Sequence, residues 1–279
     1  MNPIGIMQGR LSSPSSRRLQ AFPWASWEDE FPRARALGFD CIEWLFEDEQ
    51  HEENPLWTAF GRRRISQLLD EHSVEVRSVC ADYFMLNPFF RVTARARQHS
   101  IDVLQRLIEH AAAIGAGLIL IPLLEVSAIR DERDVDELVA ALEACLPAAR
   151  TVSVRLGLET ELPVASYVGL IERIGDEAVG AYYDVGNAAA QGYDCAADIR
   201  VLGASIYGVH IKDRIRNGGS VPLGQGGVDF PAVLGTLYDI AYHGALVLQT
   251  AFDSDYMASA IAHRRFIGDV IASLGARPE

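Results

Sequence analysis

Short apolar runs alternate with longer helix-like stretches along almost the whole chain, and this alternation constrains the fold more than any other feature. Eight runs rich in Val, Ile, Leu and aromatic residues are predicted to be strands: residues 4–11, 41–46, 74–80, 118–124, 154–159, 179–184, 206–211 and 245–250. Continuous apolar runs of this length are typical of strands buried on both faces, as in a parallel sheet.

Helical patterns fill the intervals between these runs: residues 27–37, 62–72, 94–114, 134–152, 165–174, 198–202, 231–242 and 256–274. Eight strands, each with a helix, predict an α/β fold: a (β/α)8 TIM barrel that forms a single domain over residues 1–279. An open doubly wound sheet would carry a glycine-rich phosphate motif after its first strand, whereas this chain has Gln8-Gly9-Arg10-Leu11 there.

Composition and charge exclude several classes of protein. The net charge of −13 argues against nucleic-acid binding, which needs a basic face. No apolar run is long enough to cross a membrane, and no secretory signal is visible at the amino terminus, so we expect a cytoplasmic protein. The four cysteines are not paired at CxxC spacing and are expected to be free, buried thiols in a reducing compartment.

Polar residues end the last four predicted strands. Glu159, Asp184, His210 and Gln249 each follow an apolar run, although burying an unpaired carboxylate or imidazole costs several kcal/mol. The carboxyl ends of barrel strands meet at one face, so these side chains should converge. They either form hydrogen bonds at the rim or bind a divalent metal such as Mn, Co, Mg or Zn, and their occurrence on four consecutive strands favours the metal.

Five sequence motifs give the chain a resemblance to a known family over essentially its whole length. They are Ile-Met-Gln-Gly-Arg-Leu at 6–11, Leu-Gly-Leu-Glu-Thr at 156–160, Tyr-Asp-Val-Gly-Asn at 183–187, Val-His-Ile-Lys-Asp-Arg at 209–214 and Leu-Gly-Gln-Gly-Gly-Val-Asp-Phe at 223–230. With these motifs the chain resembles the xylose-isomerase-like TIM barrels, which include sugar and sugar-phosphate isomerases and epimerases. The resemblance implies a small sugar-like substrate and assembly as a homodimer or homotetramer.

The resemblance also implies a ligand set, with one departure. Similar enzymes bind metal through Glu, Asp, His and Glu after strands five to eight, which match Glu159, Asp184, His210 and Gln249. Glu159 is implied to be the catalytic base. Gln249 can bind metal through its oxygen, but it cannot carry a proton, and it reduces the charge of the site to about −2. Glu161, two residues beyond Glu159, is either the second catalytic group or an exposed loop carboxylate.

Several further residues are candidates for substrate binding. The resemblance implies Asn187 and Arg216 as contacts of the substrate. Other candidates, for which rim or surface positions are the alternative, are the strand-end residues Glu43, Asp82, Glu125 and Lys212 and, for a phosphate, the arginines Arg10, Arg17, Arg18, Arg214 and Arg216.

Four functions are compatible with these residues. The first is a divalent-metal-dependent isomerase or epimerase of a ketose, aldose or related sugar, acting through an enediolate. Because Gln249 replaces the usual Glu, a metal-dependent lyase or hydrolase on a keto-sugar or keto-acid and a non-catalytic binding barrel remain open. Schiff-base chemistry on Lys212, the only lysine, is the fourth. A nuclease is disfavoured, because only one of the seven histidines ends a strand and the chain is acidic.

Overall fold

Eight parallel strands close into a barrel, and their order around it follows the chain. The structure is a computed structural model that describes residues 2–13, 20–251 and 255–275. The barrel strands are β1 (Ile4–Met7), β2 (Cys41–Leu45), β3 (Glu75–Cys80), β4 (Leu118–Leu123), β5 (Arg155–Thr160), β6 (Val179–Asp184), β7 (Ile206–Ile211) and β10 (Leu246–Leu248). The pairing of β1 with β10, in which Ile4 lies opposite Leu246, closes the barrel. The predicted (β/α)8 TIM barrel is therefore confirmed.

Helices surround the barrel. The described residues form α1 (Glu30–Ala36), α2 (Ala59–His72), α3 (Tyr83–Leu86), α4 (Ala94–Ala113), α5 (Glu132–Glu143), α6 (Leu146–Thr151), α7 (Val164–Ile174), α8 (Val185–Gln191), α9 (Cys195–Leu202), α10 (Phe230–Asp239) and α11 (Tyr256–Gly275). Two short strands, β8 (Asp213–Arg214) and β9 (Ser220–Val221), form a separate antiparallel hairpin after β7. None of the described helices combines the length and apolar character that a membrane span requires.

Small residues inside the barrel make room for one large ring. Tyr182 on β6 is buried, and a side chain at Gly208 on β7 would overlap its ring. Gly157 on β5 borders the same ring. Because glycines surround it, the ring lies across the barrel interior and its hydroxyl reaches Glu43 on β2, 2.6 Å away. This packing supports the polar residues at the carboxyl ends of the strands.

Several elements differ from the sequence prediction. The first strand ends at Met7 rather than at residue 11, because Gly9 adopts a left-handed conformation (φ 89°) and the buried Glu30 carboxylate accepts the Gly9 and Leu11 amides. The helix predicted over 134–152 is two helices, α5 and α6, because Pro147 lies in the first turn of a new helix. The short helices α3 and α8 were not predicted, since each begins almost directly after a strand.

Candidate metal centre

Three of the four predicted ligands form one cluster at the carboxyl ends of β5, β6 and β7. Glu159, Asp184 and His210 are all buried, and one ligand atom from each lies within 4.8 Å of the others. His210 Nδ1 is 3.6 Å from Asp184 Oδ2 and 4.0 Å from Glu159 Oε2. The strand register produces this geometry, because Asp184 pairs directly with His210 across β6 and β7.

Glu43 fixes the orientation of the His210 imidazole. Its Oε1 lies 2.6 Å from His210 Nε2, and its Oε2 accepts hydrogen bonds from Ser78 Oγ and Tyr182 OH, both at 2.6 Å. An imidazole that donates from Nε2 directs its Nδ1 lone pair towards the two carboxylates, the usual arrangement of a metal-ligating histidine. Glu43 is completely buried, so it supports the cluster from below rather than lying at the rim.

The cluster has the donor atoms of a divalent-cation site. His210 Nδ1 is fully buried, and within the described residues it has no hydrogen-bond partner, a costly state for a ring nitrogen. Two carboxylates and one imidazole are the donors that Mn, Co, Zn and Mg accept. A cation among these three side chains would satisfy the nitrogen and neutralise both carboxylates. These residues therefore fit a divalent metal.

Charges within the cluster shift its protonation. Burial raises the pKa of Glu159 to about 8, and the neighbouring Asp184 carboxylate acts in the same direction. Burial lowers the pKa of His210, but the carboxylates of Glu43, Asp184 and Glu159 outweigh burial and raise this pKa to about 10. Burial acts to raise the pKa of Asp184, but Lys212 and His210 outweigh it and hold this pKa below its ordinary value. Without a cation, protons on Glu159 and His210 thus compensate part of the negative charge of the cluster.

Gln249, the fourth predicted ligand, belongs to a chain of hydrogen bonds beside the cluster. Lys212 Nζ lies 2.8 Å from Asp184 Oδ2 and donates to Gln249 Oε1 at 2.8 Å. Gln249 Nε2 donates to Gln20 Oε1 at 2.9 Å, and Gln20 Nε2 donates to Asp82 Oδ2 at 2.5 Å. The role of Gln20 was not anticipated from the sequence, because it lies in the β1–α1 loop with no motif around it.

Asn187 connects Glu159 to an arginine. Its Nδ2 donates to Glu159 Oε1 at 2.8 Å, and its backbone amide donates to Asp184 Oδ1, which caps α8. Arg214 Nη1 donates to Asn187 Oδ1 at 2.8 Å. The predicted Arg216 is exposed and lies against Gly192 instead, so the arginine that reaches the cluster through Asn187 is Arg214.

Asp213 organises the loop that follows β7, a role not predicted from the sequence. Its completely buried carboxylate accepts backbone amides of Gly224, Gly226 and Val228 at 2.8 to 3.2 Å. A side chain at Gly226 would overlap this carboxylate, which explains the Gly-Gln-Gly-Gly turn. This loop also positions Arg214, whose backbone carbonyl accepts a hydrogen bond from the Gly227 amide at 2.9 Å.

The remaining predicted residues differ in their exposure and in their hydrogen-bond partners. Glu161 is half-buried, and Tyr193 OH donates to its backbone carbonyl. Glu125 is exposed after β4. Arg10 is buried, and its Nε donates to the Thr250 carbonyl at 2.9 Å. Arg17 and Arg18 lie outside the described residues.

A cavity of about 780 Å³ opens at the opposite, amino-terminal end of the barrel. Residues at the starts of strands line it, among them Glu75 on β3 and Leu118 on β4, together with Gly208 and Tyr182. In TIM barrels the loops at the carboxyl ends of the strands carry the active site, so the size of this cavity does not make it the site. The chemistry-bearing residues of the cluster lie at the other end.

Replacing Tyr182 with Phe should lower the free energy of unfolding by about 1–3 kcal/mol. The reason is that the buried Glu43 carboxylate loses the hydroxyl donor to Oε2 while it stays buried. Urea denaturation of the metal-free protein measures the change. Tyr238→Phe is the matched control, because Tyr238 is 82% exposed. Equal stability of the two variants would contradict this account of Glu43.

Known proteins resemble this chain in sequence and in fold. The xylose isomerase-like TIM barrel family matches residues 31–267. An L-ribulose-5-phosphate 3-epimerase of Escherichia coli is 23% identical over 235 residues, covering 80% of this chain and 81% of that protein. A solved L-ribulose 3-epimerase shares the fold with a TM-score of 0.78 at 20% identity, covering 99% of this chain and 96% of that one. A D-psicose 3-epimerase from Clostridium cellulolyticum H10 has a TM-score of 0.78 at 14% identity, covering 96% and 99%.

The family match spans most of the chain, including β5, β6 and β7 with the Glu159, Asp184 and His210 cluster at their carboxyl ends. The chain belongs to the xylose isomerase-like TIM barrel family.

Proposed function

We propose that this protein is a divalent-metal-dependent isomerase or epimerase of a small sugar, and that its reaction is the 3-epimerisation of a ketose or ketose phosphate through an enediolate. The observation that carries the proposal is His210 Nδ1, which has no hydrogen-bond partner among the described residues and is directed at two buried carboxylates, one of which, Glu159, has its pKa raised to about 8. A relative in sequence is named as an L-ribulose-5-phosphate 3-epimerase, which supports this class of reaction.

Glu159, Asp184 and His210 would hold the cation. Gln249 is proposed as a fourth ligand through Oε1, the atom that accepts a hydrogen bond from Lys212 Nζ. When bound, a divalent cation polarises a carbonyl and acidifies the adjacent C–H group. Mn, Co, Mg and Zn are all compatible with these donors.

Glu159 is proposed to remove the proton from the substrate carbon beside the carbonyl. Its Oε1 accepts from Asn187, which leaves Oε2 as the oxygen that faces the His210 side of the mouth. Asn187, itself held by Arg214, orients the carboxylate. Lys212 and Asn187 are proposed to contact the hydroxyl groups of the substrate.

Elimination is the second candidate reaction, and Gln249 is the observation that favours it. One base and one cation suffice for a lyase acting on a keto-sugar or keto-acid, and Gln249 removes the second carboxylate that a two-base epimerase uses. The products separate the two reactions, since elimination gives a dehydrated keto compound whereas epimerisation preserves the composition of the substrate.

A substrate panel tests the proposal. The protein is loaded with Mn²⁺ or Co²⁺ and incubated with ketopentoses, ketohexoses and their phosphates, and products are identified by NMR. We expect interconversion of ketoses that differ at C3. A dehydrated product would establish the lyase instead. The absence of any product from metal-loaded protein across the panel would overturn the proposed function.

Metal binding should become tighter as pH rises. In the metal-free protein the raised pKa values of Glu159, about 8, and His210, about 10, mean that both groups hold protons at neutral pH. A cation must displace these protons, so the association constant should increase by about 100-fold per pH unit near neutrality and by about tenfold per unit above pH 8. Titration with Mn²⁺, with free metal measured by EPR, gives this slope. A pH-independent affinity would contradict the assignment of both ligands.

A further inference from the structure

This inference rests on the proposed function. For an epimerase, the site described so far lacks one proton-transfer group. Epimerisation through an enediolate removes a proton from one face of a carbon and returns a proton to the opposite face. Glu159 serves one face, but the amide of Gln249 cannot carry a proton. Another titratable side chain must therefore face the substrate from the far side of the mouth.

Asp82 lies on that far side. It lies two residues beyond β3, and β3 is two, three and four places from β5, β6 and β7 in the ring of eight, so Asp82 faces the cluster across the mouth. Its side chain is only partly buried. Oδ2 accepts from Gln20 Nε2 at 2.5 Å, and Oδ1 accepts from Cys80 Sγ at 3.2 Å. Both donors are neutral, and no salt bridge joins Asp82 to another described residue.

The hydrogen bonds that lead to Asp82 all point in one direction. Lys212 donates to Gln249, Gln249 donates to Gln20, and Gln20 donates to Asp82. A glutamate at 249 could accept from Lys212 but could not donate to Gln20 Oε1. Gln249 and Asp82 thus belong to one chain of hydrogen bonds. In this chain an amide follows β10, where related enzymes have a carboxylate, and a carboxylate lies beyond β3.

The surroundings of Asp82 favour a proton carrier. Burial raises its pKa, and Glu43 acts in the same direction, while the hydrogen bonds from Cys80 and Gln20 and the charge of His210 oppose them. Arg10 also lies within electrostatic reach of Asp82. A carboxyl group with a raised pKa keeps its proton to a higher pH than an ordinary aspartate does.

The other buried carboxylates near the cluster are already engaged. Glu43 binds His210, Ser78 and Tyr182, and Asp213 accepts four backbone amides of its own loop. Glu47 accepts the Phe22 amide. Among the described residues, Asp82 combines partial exposure, neutral partners and a position opposite His210.

We propose that Asp82 is the second proton-transfer residue of the epimerase. In one direction Glu159 takes the C3 proton and its C–H bond electrons remain in the enediolate. Asp82, in its acid form, then gives its proton to the opposite face of C3, which forms the new C–H bond and leaves Asp82 as a carboxylate. Solvent returns the proton to Asp82 and removes the one on Glu159, so charge and protons balance over a turnover.

Asp82→Asn tests this proposal in D₂O. With Glu159 intact, the variant should still remove and return the C3 proton on one face, so recovered substrate should acquire deuterium at C3 at a rate within about threefold of wild type. Formation of the C3 epimer should fall by at least about 100-fold. A purely structural role for Asp82 would slow both processes together. Asp102→Asn, which makes the same change at an exposed carboxylate on α4, should alter neither rate.

The outcomes separate this inference from the proposed function. Metal content and the thermal unfolding midpoint of Asp82→Asn establish that the variant is folded and loaded. If the wild type epimerises and the Asp82→Asn variant epimerises equally fast, the role of Asp82 is overturned and the proposed function is left intact. An equal loss of exchange and epimerisation would also overturn it. Wild type that neither exchanges deuterium nor forms product would overturn the proposed function itself.

Discussion

Glu159→Gln should lower kcat for the interconversion by about 10²–10⁴-fold, the usual contribution of a general base. The amide keeps the shape of the side chain and can still accept from Asn187, but it cannot take the substrate proton. Deuterium exchange at C3 should fall by the same factor, in contrast to Asp82→Asn, because proton removal itself is lost. Both rates are measured by NMR in D₂O on metal-loaded protein.

Glu172→Gln is the matched control for this variant. Glu172 is exposed on α7, the helix that follows the strand carrying Glu159, so its substitution changes the same amount of charge without touching the cluster. Because an amide at position 159 is a weaker metal ligand than a carboxylate, the measurement is made at saturating metal, and bound metal is quantified beside the rate. Exchange at the wild-type rate in fully loaded Glu159→Gln would exclude Glu159 as the base.

His210→Ala should reduce the metal content of the purified protein from near one equivalent to background. The substitution removes one of three clustered candidate ligands and also leaves Glu43 buried without its imidazole partner. Elemental analysis after dialysis against a known free-metal concentration gives the result. His243→Ala, which changes an exposed histidine, should keep the wild-type metal content.

Gln249→Glu complements this measurement in the opposite direction. A carboxylate at 249 changes the charge of the ligand set from about −2 to about −3 and should tighten metal binding by about tenfold or more. It also breaks the hydrogen bond donated to Gln20. Near-background metal in wild type with full occupancy in Gln249→Glu would mean that the natural site is weak and would favour the lyase or non-catalytic alternatives. Absence of metal from all variants would contradict the metal centre.

The strand pattern carried most of the fold prediction, and particular elements show its limits. All eight barrel strands lie within or close to the predicted apolar runs, because strands buried on both faces must be apolar along their length. The helix predicted over 134–152 was wrong as a single element, since its apolar spacing continues across the break between α5 and α6. The hairpin of β8 and β9 was not predicted, because two-residue strands leave no periodic signal.

The clustering of Glu159, Asp184 and His210 was predictable because each is a polar residue at the end of an apolar strand, a local signal that requires no knowledge of packing. Their partners were not predictable in the same way. Glu43 was expected at a strand end but is the middle residue of β2, and only the barrel interior, opened by glycines around Tyr182, places it beneath His210 rather than at the rim.

The sequence by itself determined the barrel and its three clustered candidate ligands, because strand periodicity and strand ends are local properties of the chain. Only the tertiary structure decided which nitrogen of His210 faces the carboxylates, that Arg214 rather than Arg216 reaches Asn187, and that Gln249 is joined through Gln20 to Asp82. Those contacts join residues from distant strands and loops, and they depend on distances of about 3 Å that exist only once the barrel has closed.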